Sequence, residues 1–204
     1  MRDIGRESAR TAVATATPTL EETVRGRRSI RRYSPREVRE DVVMEILDLA
    51  RHAPSSMDGQ PCCFIVVRER AILERLADIK NDHCALDKRD AYPAHFVASA
   101  PVVVAICVER KRAHGREREN GILAAAHLLL AAHARGLGGV YMTAYQADDP
   151  GLEREIRDLL VLPPSVDPVA LIPLGFPAEE PAPKELLPLA ELVHHESYGS
   201  RGRG

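Results

Sequence analysis

The centre of the chain contains an unbroken apolar run of strand length, Pro101-Val102-Val103-Val104-Ala105-Ile106-Cys107-Val108. A strand with one face in water alternates apolar and polar residues, so this run predicts a strand covered on both faces. Residues 121–135 form a predicted helix that is apolar nearly all round. Such a helix belongs in a core or in a subunit interface. The two segments together predict a sheet with helices packed on both sides.

Further elements lie on either side of this pair. Upstream, the patterns predict a helix at about 18–25, a helix with an apolar stripe from Val42 to Ala50, a buried strand at 62–67 and an amphipathic helix at 71–79. Downstream, they predict a strand at 139–145, a helix from Asp149 through Leu160, and a last strand at 169–175.

The mixture of helices and strands without internal repeats predicts one three-layer domain of the α/β or α+β kind. We place this domain at residues 18–199, between a flexible N-terminus, residues 1–17, and a disordered tail, residues 200–204. Residues 80–95 carry charge without a regular period and are interpreted as a loop or a mobile lid.

Composition narrows the class of protein. The chain has 204 residues, of which 45% are apolar and 28% are charged, and its formal net charge is −2. These values are ordinary for a soluble globular domain, and no apolar run approaches the roughly 20 residues of a membrane span. We therefore expect a cytoplasmic protein that does not bind a membrane. The four cysteines form no C-x-x-C pair, so we expect free thiols and no metal site.

Arginine is concentrated between Arg25 and Arg36, where six of twelve residues are arginine. Guanidinium groups match phosphate geometry, and the free backbone groups of a helix end add to the attraction for anions. The cluster lies at the predicted end of a helix and before a predicted turn, which favours an anion site over a general basic surface. A nucleic-acid surface is the least favoured alternative, because the chain is acidic and few aromatic residues lie among the charges.

Two other segments carry weaker signals. The loop at residues 54–61 has hydroxyl side chains between prolines and could frame a planar ligand, although its composition also suits an ordinary surface turn. Lys184 lies in a proline-rich segment where a lone lysine is normally solvated. The two common glycine-rich nucleotide motifs are absent, and no Ser-His-Asp or Cys-His arrangement stands out. We interpret His127 and His133 as polar groups at the edge of the core.

Four segments, in this order and spacing, resemble the FMN-dependent nitroreductase family, and the resemblance extends over residues 19–199. The segment from Arg27 to Tyr33 is similar to the opening flavin motif of that family. The segments at 53–61 and 137–145 are similar to its second motif and to the strand beneath its flavin. The segment at 172–199, which includes Lys184, is similar to its C-terminal signature.

The resemblance implies an α+β fold, with a mixed central sheet wrapped by helices in three layers and built as an intertwined homodimer. FMN would lie at the dimer interface. Four residues would hold its phosphate: Arg27, Arg28, Ser29 and Lys184. Arg31 would lie near the N1/O2 edge of the flavin, where a cation stabilises the reduced form. Three residues would reach the flavin from the other protomer: Pro54, Ser55 and Ser56. Asp58 would also lie near the flavin. The backbone of Thr143 and Ala144 would lie near N5.

Several positions depart from the family pattern. Asp58 stands where asparagine is usual, and an ionised carboxylate cannot donate a hydrogen bond. Thr143 stands where many members have glycine, and Leu186 stands where a second phosphate-binding arginine is often found. Cys62 replaces a usual tryptophan, and Ala126-His127 replaces a common Gln-Asn pair. Each of these changes can lower the affinity for FMN.

The resemblance implies an FMN-dependent oxidoreductase that takes hydride from NADH or NADPH and passes it to a small acceptor such as a nitroaromatic or a quinone. The flavin carries the chemistry, so no catalytic side chain is expected. Two alternatives stay open. One is an FMN enzyme of another reaction type, such as a dehydrogenase of peptide-derived rings, a dehalogenase or a flavin-fragmenting enzyme, with residues 80–118 shaping the acceptor pocket. The other is a flavin-binding protein without turnover.

Overall fold

The computed structural model of the chain describes residues 18–84 and 93–201. The predicted flexible N-terminus, residues 1–17, lies outside the described residues, and so do residues 202–204 of the predicted tail. Residues 85–92, in the middle of the predicted loop or lid, lie outside them as well. None of the helices in the described ranges combines the length and the hydropathy that a membrane span requires.

Most of the predicted helices and strands are present, and some are longer than expected. The helices are α1 (Leu20–Gly26), α2 (Glu40–Ala50), α3 (Arg70–Asp82), α4 (Phe96–Ser99), α5 (Arg110–Ala113), α6 (Glu117–Ala134), α7 (Pro150–Leu159) and α8 (Leu189–Leu192). The strands are β1 (Cys62–Val67), β2 (Val102–Glu109), β3 (Gly138–Gly139), β4 (Met142–Thr143) and β5 (Val166–Gly175). The short helices α4 and α5 have no counterpart in the sequence prediction.

Local signals fix the helix ends where the sequence predicts them. At the start of α1, the Thr19 hydroxyl accepts a hydrogen bond from the Glu22 amide at 3.2 Å, and the Glu22 carboxylate accepts one from the Thr19 amide at 2.7 Å. This reciprocal pair is a capping box. At the start of α7, the Asp149 carboxylate accepts a hydrogen bond from the Gly151 amide at 2.9 Å. Gly136 follows α6 with φ +74°, a left-handed conformation that glycine adopts without a steric penalty.

The sheet has the order β1-β2-β5-β3, and β4 also pairs with β5. Every ladder between these strands is antiparallel. A parallel contact comes from the isolated bridge between Ser29 and Gly139, at the edge of the sheet beside the arginine-rich segment. The fold is therefore α+β, as the sequence predicts, and its mixed character is confined to this bridge.

Helices cover both faces of the sheet and form three layers. Residues 102–108 of β2 are completely buried, which confirms that both of its faces are covered. Its side chains alternate: Val104 and Ile106 pack in the core that α2 and α6 complete. Val103 and Ala105 pack in the second core, which α3, α4 and α7 complete. The apolar run that predicts this strand therefore contributes to both cores.

The prediction of one continuous strand at 139–145 is wrong in detail, because the segment is divided into β3 and β4. The register pairs Gly139 with Leu174 and Met142 with Leu171, so Val140 lies opposite Pro173. Proline has no backbone N–H and cannot donate to the ladder. The Pro173 carbonyl instead accepts a hydrogen bond from the Tyr33 hydroxyl at 3.3 Å. A break in the ladder at this point follows from the missing donor.

The arginine-rich segment is extended, and the turn predicted directly after Ser29 is absent. We call residues 27–34 the basic segment. Its Ile30 amide donates to the Gly139 carbonyl at 3.1 Å, and its Ser34 amide donates to the Phe176 carbonyl at 2.8 Å. The basic segment is thus held between the end of the sheet and the C-terminal chain. The predicted loop at 80–95 also begins later than expected, since α3 continues to Asp82.

Candidate functional site

A cleft of about 440 Å³ opens where the basic segment meets α1 and α6. We call it the cationic cleft. Its polar lining comes from Arg27, Ser29, Tyr141 and Lys184, and its apolar lining comes from Val24, Ile122, Ala126, Leu129 and Leu130. Small-molecule sites typically enclose roughly 300–1,000 Å³ and combine an apolar wall with a few convergent polar groups. Three of the four phosphate ligands predicted from the sequence therefore lie in one cleft of suitable size.

The positive charges of this cleft have no acidic partner within residues 18–84 and 93–201, where no ion pair involves Arg27, Arg28 or Lys184. Repulsion by Arg27, followed by burial and by Arg28, lowers the pKa of Lys184. Burial, followed by the same two arginines, lowers the pKa of His133 below its ordinary value. Like charges held together without a counter-charge attract an anion.

Arg28 and Arg31 behave differently from Arg27. The Arg28 guanidinium folds back and donates to the carbonyls of Arg25 at 2.7 Å and Arg27 at 3.1 Å, which satisfies free carbonyl groups at the end of α1. The Arg31 guanidinium lies 6.0 Å from the centre of the Phe96 ring, and Arg31 is not among the residues that line the cationic cleft. The structure thus brings Arg27, Ser29 and Lys184 together, with Arg28 beside them.

Glu179 is a site residue that the sequence analysis does not single out. Its carboxylate accepts hydrogen bonds from the backbone amides of Arg31 at 2.5 Å and Arg32 at 3.0 Å. The Ala178 amide donates in return to the Arg32 carbonyl at 2.9 Å. These bonds fix the backbone of the basic segment beside the cleft. The residues involved are about 150 positions apart in the chain, so local sequence patterns give no signal for this contact.

Three of the four predicted loop residues line a second cleft, of about 540 Å³, which we call the loop cleft, and Ser56 is not among its lining residues. Its lining includes Pro54, Ser55 and Asp58, together with Arg112 and Asn120. No residue that lines the loop cleft also lines the cationic cleft. Within one chain, the predicted phosphate ligands and the predicted loop ligands therefore lie in different places.

The loop at 54–60 has an unusual backbone. Met57, Asp58 and Gln60 have φ values of 50°, 53° and 47°, in a left-handed region that non-glycine residues seldom occupy. Gly59 is required for a different reason, because a Cβ atom there would lie 2.0 Å from the Arg112 carbonyl oxygen. Backbone conformations of this kind persist only where the surrounding structure holds them, and they concentrate at functional sites.

Asn120 holds this loop and is a second residue that the sequence analysis misses. It lies in the first turns of α6 with a relative exposure of 2%. Its amide oxygen accepts a hydrogen bond from the Ser56 amide at 2.9 Å, and its amide nitrogen donates to the Ala113 carbonyl at 3.2 Å. Asn120 thus connects the loop, the end of α5 and α6 through one buried side chain.

The segment at Thr143 and Ala144 is predicted to approach the flavin. In the structure, its backbone forms hydrogen bonds with other parts of the chain. Ala144 is completely buried, and its amide donates to the Val169 carbonyl at 3.0 Å. The Thr143 carbonyl accepts a hydrogen bond from the Lys80 ammonium group at 2.8 Å. A ligand at this segment would therefore meet a backbone whose position α3 and β5 already fix.

His83 joins the end of α3 to α7. Its Nδ1 lies 2.5 Å from the Asp149 carboxylate, and its Nε2 lies 2.9 Å from the Glu155 carboxylate. Hydrogen bonding to Asp149 raises the pKa of His83, and the bond to Glu155 adds to the effect although burial opposes it. The imidazole can donate from both nitrogens only when it is protonated.

We expect this contact to make stability depend on pH. Because the folded pKa is raised above 6.5, the stabilisation is complete below pH 6.5 and is lost as pH rises through the folded value. The melting temperature of the wild type should therefore fall by a few degrees more than that of His83→Gln between pH 6 and pH 9. The exposed His52→Gln variant is the control, since it should retain the wild-type profile. Parallel profiles for wild type and His83→Gln in differential scanning calorimetry would contradict the assignment.

The fold and the clefts together define a class of protein. An α+β domain whose cleft holds cations without acidic partners in the described part of the chain, beside an apolar wall, suits a ligand with an anionic group and an apolar body. The Nitroreductase family model matches residues 24–176, and the chain belongs to the nitroreductase family.

Individual relatives agree with this assignment. A putative NADH dehydrogenase/NAD(P)H nitroreductase from Methanothermobacter thermautotrophicus is 36% identical over 87% of this chain and 86% of its own length. An FMN reductase [NAD(P)H] from Bacillus subtilis is 27% identical over 84% of this chain and 71% of its own length. A crystal structure of a putative NADH dehydrogenase/NAD(P)H nitroreductase from Bacteroides thetaiotaomicron matches with a TM-score of 0.75 and 27% identity, over 87% of this chain and 97% of that one.

Proposed function

We propose that this protein is an FMN-dependent oxidoreductase that takes hydride from NADH or NADPH and passes it to a small organic acceptor such as a nitroaromatic or a quinone. The observation that carries the proposal is the cationic cleft, where Arg27 and Lys184 lie beside an apolar wall and have no acidic partner among the described residues. FMN combines a phosphate with a large apolar ring system, and the two sides of the cleft suit these two parts. The family assignment agrees with this cofactor and this reaction class.

The residues of the cleft have separable tasks in this proposal. Arg27 and Lys184 would bind the phosphate through charge-assisted hydrogen bonds, and the Ser29 hydroxyl would add a neutral contact. Arg28 supports the site indirectly, since its guanidinium holds the end of α1 and its charge adds to the local potential. When bound, FMN supplies the hydride chemistry, and the protein orients it and tunes its reduction potential.

We further propose that the protein functions as a homodimer in which each FMN contacts both chains. Two observations support this arrangement. Pro54, Ser55 and Asp58 line a cleft separate from the one that Arg27, Ser29 and Lys184 line in the same chain, so a second chain could supply the missing half of each site. The outer face of α6 also exposes Ile122 and Leu123 by 41% and 40%, and apolar side chains of this kind are typical of obligate interfaces.

The test is to purify the protein, record its visible spectrum, and titrate the apoprotein with FMN. We expect bound flavin, bleaching of its absorbance by NADH or NADPH under anaerobic conditions, and return of the absorbance when a quinone or a nitroaromatic is added. The native mass should be that of two chains. A protein that takes up no FMN would refute the cofactor and the function together.

The acceptor screen separates the remaining alternatives. Bound flavin that NAD(P)H reduces, but that neither quinones nor nitroaromatics reoxidise, would favour another reaction type, such as dehalogenation. Bound flavin that neither pyridine nucleotide reduces would favour a flavin-binding protein without turnover. A halogenated phenol and free FMN belong in the screen as additional acceptors, since one relative is named an FMN reductase.

A further inference from the structure

Lys80 is a partly buried lysine in the last turn of α3. Its ammonium group donates a hydrogen bond to the backbone carbonyl of Thr143 at 2.8 Å. No carboxylate within the described ranges forms an ion pair with it. Burial lowers its pKa, as expected for a cation that is removed from water.

The charge of Lys80 is not needed for the packing of α3. The apolar face of the helix is already formed by Leu73, Leu76 and Ile79, each at most 2% exposed. Among the described residues, the ammonium group bonds to a neutral carbonyl, so no ion pair there offsets its lost hydration. A neutral donor such as glutamine could make the same contact without the cost of desolvating a charge. The charge therefore points to a role outside the folding of α3.

The carbonyl that Lys80 contacts lies at a structurally exceptional point. Thr143 is the last residue of β4, the short strand that follows the break opposite Pro173. The next amide, that of Ala144, donates to the Val169 carbonyl on β5. Lys80 and β5 together hold the Thr143–Ala144 peptide from two sides. The same end of α3 also contacts the following residues, because the Gln146 side chain donates to the His83 carbonyl at 3.0 Å.

We propose that Lys80 is a positioning residue for the bound flavin, which it serves by fixing the Thr143 backbone and by placing a positive charge one carbonyl group away from it. The inference rests on the proposed FMN site and on the predicted approach of the flavin to Thr143, which lies two residues beyond Tyr141 in the lining of the cationic cleft. A cation near the ring stabilises the negative charge of the reduced flavin. Lys80 would therefore raise the reduction potential of the bound cofactor, in addition to holding the strand end in place.

Two substitutions separate these effects. Lys80→Met removes both the donor and the charge, whereas Lys80→Gln retains a hydrogen-bond donor and removes only the charge. Lys111→Met is the matched control, because Lys111 is exposed on α5. Two quantities are measured: the midpoint potential of bound FMN, and hydrogen exchange of the amides at residues 143–146 in the apoprotein.

We expect both Lys80 variants to lower the two-electron midpoint potential by about 30 mV, which corresponds to a tenfold change in the equilibrium constant for reduction. Only Lys80→Met should speed hydrogen exchange at residues 143–146, and Lys111→Met should change neither quantity. A wild-type potential in Lys80→Gln would overturn the role of the charge. Unchanged exchange in Lys80→Met would overturn the role of the hydrogen bond.

The controls distinguish failure of this inference from failure of the proposed function. If the wild type takes up no FMN, the proposed function fails, and the exchange measurement on the apoprotein still tests the hydrogen bond. If the wild type binds FMN and the Lys80 variants keep its potential, the proposed function stands and the positioning role fails. If Lys80→Met does not fold, the potential of Lys80→Gln alone decides whether the charge acts on the flavin.

Discussion

Replacing Arg27 with alanine is expected to weaken FMN binding by roughly ten- to one-hundredfold. The change removes a guanidinium group that lines the cationic cleft beside Ser29 and Lys184. Hydrogen bonds to charged groups contribute about 1.5–3 kcal/mol each, and about 1.4 kcal/mol corresponds to a tenfold change in affinity. The effect should appear in fluorescence titration of the apoprotein, where bound flavin is distinguished from free flavin.

The matched control for this prediction is Arg25→Ala. Arg25 lies two residues earlier, in the last turn of α1, where its side chain is 77% exposed and pairs with Glu21 at 2.8 Å. This variant should bind FMN as the wild type does, because a surface ion pair contributes little to stability. Riboflavin, which lacks the phosphate, should bind wild type and Arg27→Ala with equal affinity. If Arg27→Ala weakens riboflavin as much as FMN, Arg27 does not hold the phosphate.

The titration of His133 gives a readout that does not depend on flavin. Burial, Arg27 and Arg28 together lower the pKa of its imidazole. Removal of Arg27 should therefore raise the pKa of His133 in the apoprotein, and binding of inorganic phosphate to the wild type should raise it as well. Both shifts can be followed by the NMR signals of the imidazole ring. If His133 has the same pKa in Arg27→Ala as in the wild type, the Arg27 guanidinium does not lie close enough to His133 to affect it.

The elements of this fold were predictable where local pattern and burial agree. The apolar run of β2 predicts a strand covered on both faces, and the structure buries residues 102–108 completely. The helix predicted at about 18–25 is present as α1, and Thr19 and Glu22 form a capping box at its start. In such cases the interactions that define the element lie within a few residues of one another, so the sequence contains all of them.

Predictions failed where a residue distant in the chain decides the outcome. The break between β3 and β4 depends on Pro173, about thirty residues beyond Val140, because proline removes a donor from the facing strand. The extended course of the basic segment depends on Glu179, which accepts two of its amides. Neither effect has a local signal. Both need the register of the sheet, which only the folded structure supplies.

The residues of the candidate site also divide into those with a local sequence signal and those without one. Arg27, Ser29 and Lys184 were predicted together and lie together in one cleft. The direction of the Arg28 side chain was not predicted, although its contact with the end of α1 is local and typical of a basic residue at a helix C-terminus. Lys80 and Asn120 were not predicted at all, since each acts by contacting backbone far away in the chain. Side chains that hold other residues in place are therefore the part of a site that sequence patterns reveal least.

Replacing Asn120 with alanine is expected to lower the free energy of unfolding by about 1–3 kcal/mol. The Asn120 amide oxygen accepts a hydrogen bond from the Ser56 amide, and the exposure of Asn120 is only 2%. A buried polar group that loses its partner costs about 1–3 kcal/mol, and alanine removes the partner of the Ser56 amide, whereas the Ala113 carbonyl keeps its hydrogen bond from the Arg116 amide at 3.0 Å. Urea unfolding followed by circular dichroism measures the change. The nearby exposed variant Glu119→Ala should stay within about 0.5 kcal/mol of the wild type.

A second substitution at this position tests the geometry and not merely the burial. Asn120→Asp keeps an acceptor for the Ser56 amide but replaces the donor to the Ala113 carbonyl with a carboxylate oxygen that repels it. We therefore expect Asn120→Asp to be destabilised while its loop retains the wild-type conformation, whereas Asn120→Ala releases the loop as well. If FMN binds across the loop cleft, Asn120→Ala should lose more affinity for FMN than Asn120→Asp at a temperature where both variants are folded. Equal affinities in the two variants would show that the Ser56 contact does not position the loop for the cofactor.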